Sequence, residues 1–315
     1  PKMIHNKWGR IVHISSAITT SFDGYSPYAS AKCALEGYIK SLSKVVSKNN
    51  VILSGIAPGL IDKEVIQRWD ARFAEFEGDK IVNSYRWSEE YPHYVGSPNM
   101  NSIAKFLSKN INIMKETKIV KIEKSKCNSF WNLIDQSGNE RSFEWVIINV
   151  PPIQALDLLP NNFQYISEVK NKKMLGCYSL MLGFEKKIDL PFDSALIRDL
   201  DISWISVNSS KPNRLSNFTL VVNSTNSWAE KNLETNKNKV IDSLLTETSK
   251  ILGVKSINPD VLELQKWRYA NIAKQNFFKP LVDQKNKIAV GGDWNIQGRV
   301  ESAFLSGLKI FDEII

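Results

Sequence analysis

Two short apolar runs with a helical repeat between them constrain this chain most. Residues 9–15, GRIVHIS, are rich in β-branched side chains and bounded by glycine and serine, the mark of a buried strand. From Tyr28 to about Ser47 the apolar positions Ala31, Ala34, Leu35, Tyr38, Ile39, Leu42, Val45 and Val46 recur at helical spacing. Asn49 and Asn50 break that repeat, and residues 51–59, VILSGIAPG, read as a second buried strand ending in a Pro-Gly turn. Strand, helix and strand at this spacing make one βαβ unit. The strands near 11–15 and 51–56 are therefore expected to be parallel neighbours.

That unit carries reactive side chains. Tyr28 and Lys32 lie four residues apart and share one helix face. An ammonium beside a phenol favours the phenolate, which a tyrosine needs to act as acid or base near neutral pH. A serine hydroxyl from the end of the first strand can hold a substrate carbonyl. Ser-Ser at the strand end, Tyr-x-x-x-Lys on the helix and APG after the second strand together resemble the middle of a short-chain dehydrogenase/reductase. The resemblance implies that Ser16 orients the substrate, with Ser15 as the alternative. It implies that Tyr28 is the acid/base and that Lys32 holds the ribose of NAD(P). Only eight residues precede the first strand, so that family's Gly-rich nucleotide loop has no counterpart in the chain. No reductase turnover is expected from Tyr28, because holding the two reactants side by side supplies much of the rate.

Past Lys63 the character changes. The run from Asp70 reads as a polar helix that continues through a Gly/Pro loop into a second helix. Short β-runs follow from Ile119 to Pro151, with QSGNE as a hairpin turn. Trp204 and the LVVNS run belong to further strands. Residues 238–253, NKVIDSLLTETSKILG, have helical periodicity and end at Gly253, a C-terminal cap. The chain closes with a strand at Ile288–Val290, a Gly-rich turn and a helix from about Val300.

The closing stretch carries the second set of candidates. The strand delivers Gly291, Gly292 and Asp293 to a turn, and Gly298 lets backbone approach a ligand closely. The helix then points its positive end at the turn, which suits an anionic or electron-rich ligand. The segments GGDW…GRVESAFLSG, YVGSPNMNSIAKFL, VIINVPPIQALDLLP, SWISVNSSKPNR and QKWRYA together resemble the renalase-like branch of the flavin-dependent amine oxidases. The resemblance implies that Asp293 meets the ribityl or diphosphate part of FAD, with Gly291 and Gly298 of the same turn among the cofactor-binding candidates. Gly292, Arg299, Val300 and Glu301 lie along the isoalloxazine edge by the same token. Ile119 takes the position whose backbone meets the adenine, and Trp267, Arg268 and Tyr269 line the substrate face. Trp267 and Tyr269 also fit a plain core role, and Glu301 fits a first-turn acid complementing the helix dipole. That family opens with a Gly-x-Gly-x-x-Gly turn on the FAD diphosphate, which residues 1–84 do not match. FAD is accordingly expected to be weakly held or lost.

The net charge is +8 and the pI near 9.2, but the lysines are interleaved with acids and asparagines, so a solvated surface and no nucleic-acid partner are expected. No run reaches the roughly 18 apolar residues of a membrane span, and the N-terminus lacks the apolar middle of a secretory signal. Position 1 is proline, so the chain is expected to be processed or to begin inside a longer reading frame. Cys33, Cys127 and Cys177 are far apart, which suits free thiols in a reducing, cytoplasmic setting. His5, His13 and His93 lack metal-ligand spacing, and no metal is expected.

The expected fold is α/β. A Rossmann-like βαβ fragment (residues 1–62) joins an FAD/NAD(P)-binding-type α/β portion with an antiparallel β substrate domain (residues 63–315). The expected function is that of an FAD-dependent oxidoreductase homologue of the renalase/amine oxidase type, incomplete and weakly active or inactive, acting on a small molecule. The alternatives are an NAD(P)-dependent reductase using Ser16, Tyr28 and Lys32, or a catalytically silent scaffold. Oligomeric state is left open.

Overall fold

Strands β1 (Gly9–Ile14) and β2 (Val51–Ile56) run parallel, with Gly9 opposite Val51 and Ile14 opposite Ile56, as the βαβ pattern requires. The computed structural model describes residues 9–14, 46, 48, 51–56, 65–88, 92–125, 130–273, 275 and 278–314. Val46 is helical and buried. Ser15, Ser16, Tyr28 and Lys32 lie outside the described residues. The chain divides into two units, Pro1–Gln67 with Tyr94–Phe106 and Arg68–His93 with Leu107–Ile315.

After β3 (Ile66–Arg68) comes the first departure from expectation. The run from Asp70 is not a polar helix but a hairpin of β4 (Arg72–Glu77) and β5 (Lys80–Arg86). Its turn residue Gly78 has φ +61, a conformation that glycine adopts freely. Both faces of β4 are apolar, which hides the two-residue period. Phe76 packs edge-on against Phe192 in the core, whereas Phe73 stacks on Trp87. A register shift between Glu75 and Phe76 disturbs the alternation further. The chain then passes through β6 (Tyr94–Gly96) and α1 (Ser102–Leu107).

Strands β7 (Ile119–Lys124), β8 (Trp131–Asp135) and β9 (Glu140–Phe143) form a meander. Its QSGNE turn is closed by buried Asp135, which accepts the amides of Ser137 and Asn139 at 2.9 and 3.0 Å and pairs with Arg141 at 3.1 Å. The hydrogen bond from the Asn139 side chain, helped by Arg141 and the two amides, outweighs burial and holds this carboxyl at about 2. A depressed aspartate contributes stability that is complete above its unfolded value near 3.8 and is lost as pH falls through about 2. Thermal melts taken between those two pH values should show a steeper loss in the wild type than in Asp135→Asn. Equal slopes would mean that Asp135 is not anchored in this way.

The chain continues through β10 (Val146–Ile148), α2 (Pro152–Leu158), α3 (Ile166–Lys170), β11 (Leu175–Phe184), β12 (Ser194–Arg198), β13 (Ile202–Val207) and β14 (Phe218–Ser224). Then follow α4 (Asn226–Asn232), α5 (Lys237–Ile251), β15 (Val261–Asn271), β16 (Leu281–Asp283), β17 (Ile288–Val290) and α6 (Val300–Ile314). The expected cap at Gly253 is present, and α4 has a cap that the sequence reading did not assign. Thr225 caps α4 by accepting the Trp228 amide at 3.2 Å, and Gly253 follows α5 at φ +68.

A seven-stranded sheet in the order β15-β11-β14-β13-β12-β4-β5 dominates the second unit. It is antiparallel except for β4 beside β12. One face buries Tyr178, Leu180, Leu182, Leu220, Val222, Ile205 and Phe76 against Val240, Leu244 and Ile251 of α5. A three-stranded sheet, β10-β17-β16, has β10 and β17 parallel and β16 antiparallel to β17. Its core includes Val146, Ile148, Ile288, Val290, Trp131 and Trp294. The meander is tied to it through the carbonyl of Asn286, which accepts from Lys124 Nζ at 3.1 Å and from Trp131 Nε1 at 2.8 Å.

Candidate functional site

Three fully buried residues of β17, Ile288, Ala289 and Val290, aim the following glycines at Ser306 and Ile310 in the middle of α6. The Gly291 amide donates to Ile148 O at 3.1 Å, extending the parallel ladder by one rung. The Gly292 amide donates to Ser306 Oγ at 3.1 Å. A side chain has no room at either position. A Cβ on Gly291 would lie 2.4 Å from Ile310 Cδ1, and one on Gly292 would lie 2.7 Å from Trp294 Nε1. Gly292 also sits at φ +152, where side chains are strained.

Asp293 organises the turn. Its Oδ1 accepts the Trp294 amide at 2.9 Å, and its carbonyl accepts the amides of Ile296, Gln297 and Gly298 at 3.0–3.1 Å. Trp294 Nε1 reaches back to Val150 O at 3.0 Å, pinning the turn to the segment after β10. Gln275 adds a further tie by donating its amide to Ile296 O at 2.9 Å. Arg299, Val300 and Glu301 then stand exposed at the start of α6, whose first amides have no partner inside the helix. A cavity of about 90 Å³ opens between Ile147, Asn149, Gly291, Gly292, Ala303 and Gly307, over Ile310.

Gly298, at φ +56, presses its backbone on the end of β15, since a Cβ there would lie 2.7 Å from Asn271 Oδ1. Tyr269 and Trp267 lie two and four residues back along the same strand, about 7 and 13 Å from Asn271 at about 3.3 Å per residue. Trp267 stands opposite Cys177, half exposed, and donates from Nε1 to Ser179 Oγ at 3.1 Å. Ser179 in turn donates to Asn223 Oδ1 at 2.8 Å, across three adjacent strands. Burial pushes the Cys177 thiol up from its ordinary value, so it remains a thiol. Strand alternation sends Arg268 to the other face, where it pairs with Glu234 at 2.9 Å.

The structure thus brings Gly291, Gly292, Asp293, Gly298, Arg299, Val300 and Glu301 into one turn. It places Trp267 and Tyr269 on the strand that meets that turn. Ile119 opens β7 opposite Asp135, in the meander. Sequence reasoning did not assign Ser306, Asn149, Asn271, Ser179 or Asn223. Trp294 lay within the quoted GGDW motif, whereas the Ser179–Asn223 link depends on strand register and left no local signal.

The model for flavin containing amine oxidoreductases matches residues 81–315. The chain belongs to that family. Among solved structures, the chain is similar in fold to a protein from Exiguobacterium sp. 255-15 described as a putative protoporphyrinogen oxidase. That likeness has a TM-score of 0.55 at 13% identity and covers 70% of this chain and 52% of that one. A putrescine oxidase solved with putrescine gives 0.51 at 12% identity, over 72% of this chain and 55% of its own. At such identities the likeness is one of fold. Residues 1–72 separately match the short chain dehydrogenase model. Over 65 residues the chain is 42% identical to a 3-oxoacyl-[acyl-carrier-protein] reductase of Aquifex aeolicus, covering 20% of this chain and 26% of that protein. A Rickettsia conorii protein of the same name is 33% identical over 96 residues, 30% of this chain and 40% of the relative. The chain therefore spans between a quarter and two fifths of these curated relatives, and about half of the solved flavoproteins. No helix among the described residues is long and apolar enough to cross a membrane.

Proposed function

We propose that residues 63–315 form an FAD-dependent oxidoreductase of the amine oxidase type that acts on a small molecule, and that residues 1–62 are a short-chain reductase-like addition. The observation that carries this reading is the turn from Gly291 to Glu301, where a small cavity lined by Gly291 and Gly292 lies against α6 and Arg299, Val300 and Glu301 stand exposed at the helix start. A helix start beside a small cavity suits an anionic or phosphorylated group. Asp293 holds the ribityl or diphosphate part, and Gly292, Arg299, Val300 and Glu301 follow the flavin edge. The Ile119 backbone takes the adenine side. A bound flavin supplies a two-electron acceptor for hydride from the substrate, with oxygen as the final acceptor. Trp267 and Tyr269 present aromatic surface to the substrate. The Ser179–Asn223 link fixes the Trp267 indole, and Arg268 pairs with Glu234 on the opposite face of the sheet.

No Gly-x-Gly-x-x-Gly turn occurs among the 15 glycines of the sequence. Helix-end and charge-assisted hydrogen bonds to a diphosphate together contribute about 5 kcal/mol, or about three to four decades in affinity. FAD is therefore expected to bind weakly and to be lost on gel filtration. Titration with FAD, read by flavin fluorescence, should show a further loss of about tenfold in Asp293→Ala. Equally tight binding by both proteins would place the site elsewhere.

The parallel β1–β2 pair and the match over residues 1–72 favour a second reading for the first unit, as a nicotinamide-dependent reductase using Ser16, Tyr28 and Lys32. Carbonyl-dependent NADPH consumption that disappears in Tyr28→Phe would establish it. Protein that binds neither flavin nor nicotinamide would leave the silent scaffold.

A further inference from the structure

The segment SWISVNSSKPNR, residues 203–214, holds a group that the proposed flavin chemistry does not use. After β13 ends at Val207, a 3-10 turn over Asn208–Ser210 delivers Lys211, whose Nζ lies 5.2 Å from the centroid of the Trp69 ring. Nζ also donates to Asn208 Oδ1 at 3.1 Å. The indole is itself fixed, because its Nε1 donates to Ser210 Oγ at 3.2 Å and the ring packs edge-on against Trp87. A half-buried cation ordinarily takes a carboxylate partner. Among the described residues none pairs with Lys211. Burial, helped by the neighbouring Arg214, pulls the Lys211 ammonium down to about 8. Lys124 makes the contrast. It too lies over an indole, that of Trp131 at 4.0 Å, but Asp283 faces it and supports its charge against burial.

We propose that Lys211 is a covalent capture site for small aldehydes. The Nζ lone pair attacks the carbonyl carbon, the carbonyl oxygen takes up a proton, and its loss as water leaves a C=N bond. Nothing is oxidised or reduced. The surroundings favour an aldehyde over an acyl donor. A protonated imine keeps the positive charge and one N–H, so it keeps both the indole face and Asn208 Oδ1. Acylation would remove the charge and with it the attraction to the ring. Near neutral pH roughly a tenth of a lysine titrating at about 8 is in the nucleophilic form, against fewer than about one in a thousand for an exposed lysine. The amine is also within reach. Ser210 and Asn213 beside it are exposed, and Ser209 and Ser210 wall a cavity of about 280 Å³.

The full chain, incubated with propanal near neutral pH and quenched with borohydride, carries each imine forward as a stable secondary amine that peptide mass mapping locates. Lys211 should be modified about tenfold or more above Lys186, an exposed lysine. In Lys211→Arg that peptide should stay unmodified, while Lys186 and Lys124 react as before. Trinitrobenzenesulfonate, which reads the neutral amine directly, should reach half its limiting rate at Lys211 near pH 8. Modification of Lys211 no greater than that of Lys186 would overturn the proposal, since a lysine that is merely packed reacts more slowly. So would a Lys211 rate that rises only with those of the exposed lysines. A preference for Lys211 that is larger with 4-nitrophenyl acetate than with propanal would overturn the choice of aldehydes. None of these readouts needs FAD, so failure of the flavin reading leaves the result unaffected.

Discussion

Trp294→Ala is expected to destabilise the second unit by about 3–5 kcal/mol, the usual cost of removing a large aromatic from a packed interior. Trp294 is 2% exposed and packs among Trp131, Val146, Ile148, Ile288 and Val290. Its indole also donates to Val150 O, and losing that bond leaves a carbonyl without its partner. Urea unfolding followed by near-UV circular dichroism measures the change through the midpoint. A loss below about 1 kcal/mol would show that the indole does not hold the turn to the segment after β10.

Gly292→Ala is expected to cost about 2–4 kcal/mol, in two separable parts. One is backbone strain at φ +152, and the other is the contact between the new Cβ and the Trp294 ring. Because the second part needs the indole, the two substitutions are coupled. In a Trp294→Ala background, Gly292→Ala should cost less by about 1 kcal/mol or more, while the strain part persists. Strict additivity would mean that the glycine is required for backbone freedom alone.

Much of this organisation can be read from the residues. The parallel β1–β2 pair follows from two β-branched runs flanking a helical repeat. The QSGNE turn, the cap at Gly253 and the strand, turn and helix from Ile288 each carry their own punctuation. Residues 70–86 show where reading fails. Ala71, Phe73, Ala74 and Phe76 mimic a helical repeat because the strand is apolar on both faces and its register shifts at Glu75. The Gly78-Asp79 pair was the signal for a hairpin. In the site, the glycines are visible because a turn demands them, but Ser179, Asn223 and Asn271 act through partners 44 or more residues away, or 27 in the case of Gly298. Only the fold brings those positions together. Arg268 shares its tripeptide with Trp267 and Tyr269, yet pleating sends it to the opposite face.

The interleaving of the two units has a consequence for how this gene can be recombined. The chain passes from one unit to the other at 67/68, 93/94 and 106/107, and residues 94–106 sit in the first unit although the amine oxidoreductase model claims them. Neither family-matched stretch is therefore an exchangeable cassette. A fragment starting at residue 107 would forfeit β4, taking Ala74 and Phe76 from the core and baring the edge of β12 as a template for mispairing. Shuffling that respects the fold has to move residues 68–93 together with everything after 106, as one discontinuous inheritance.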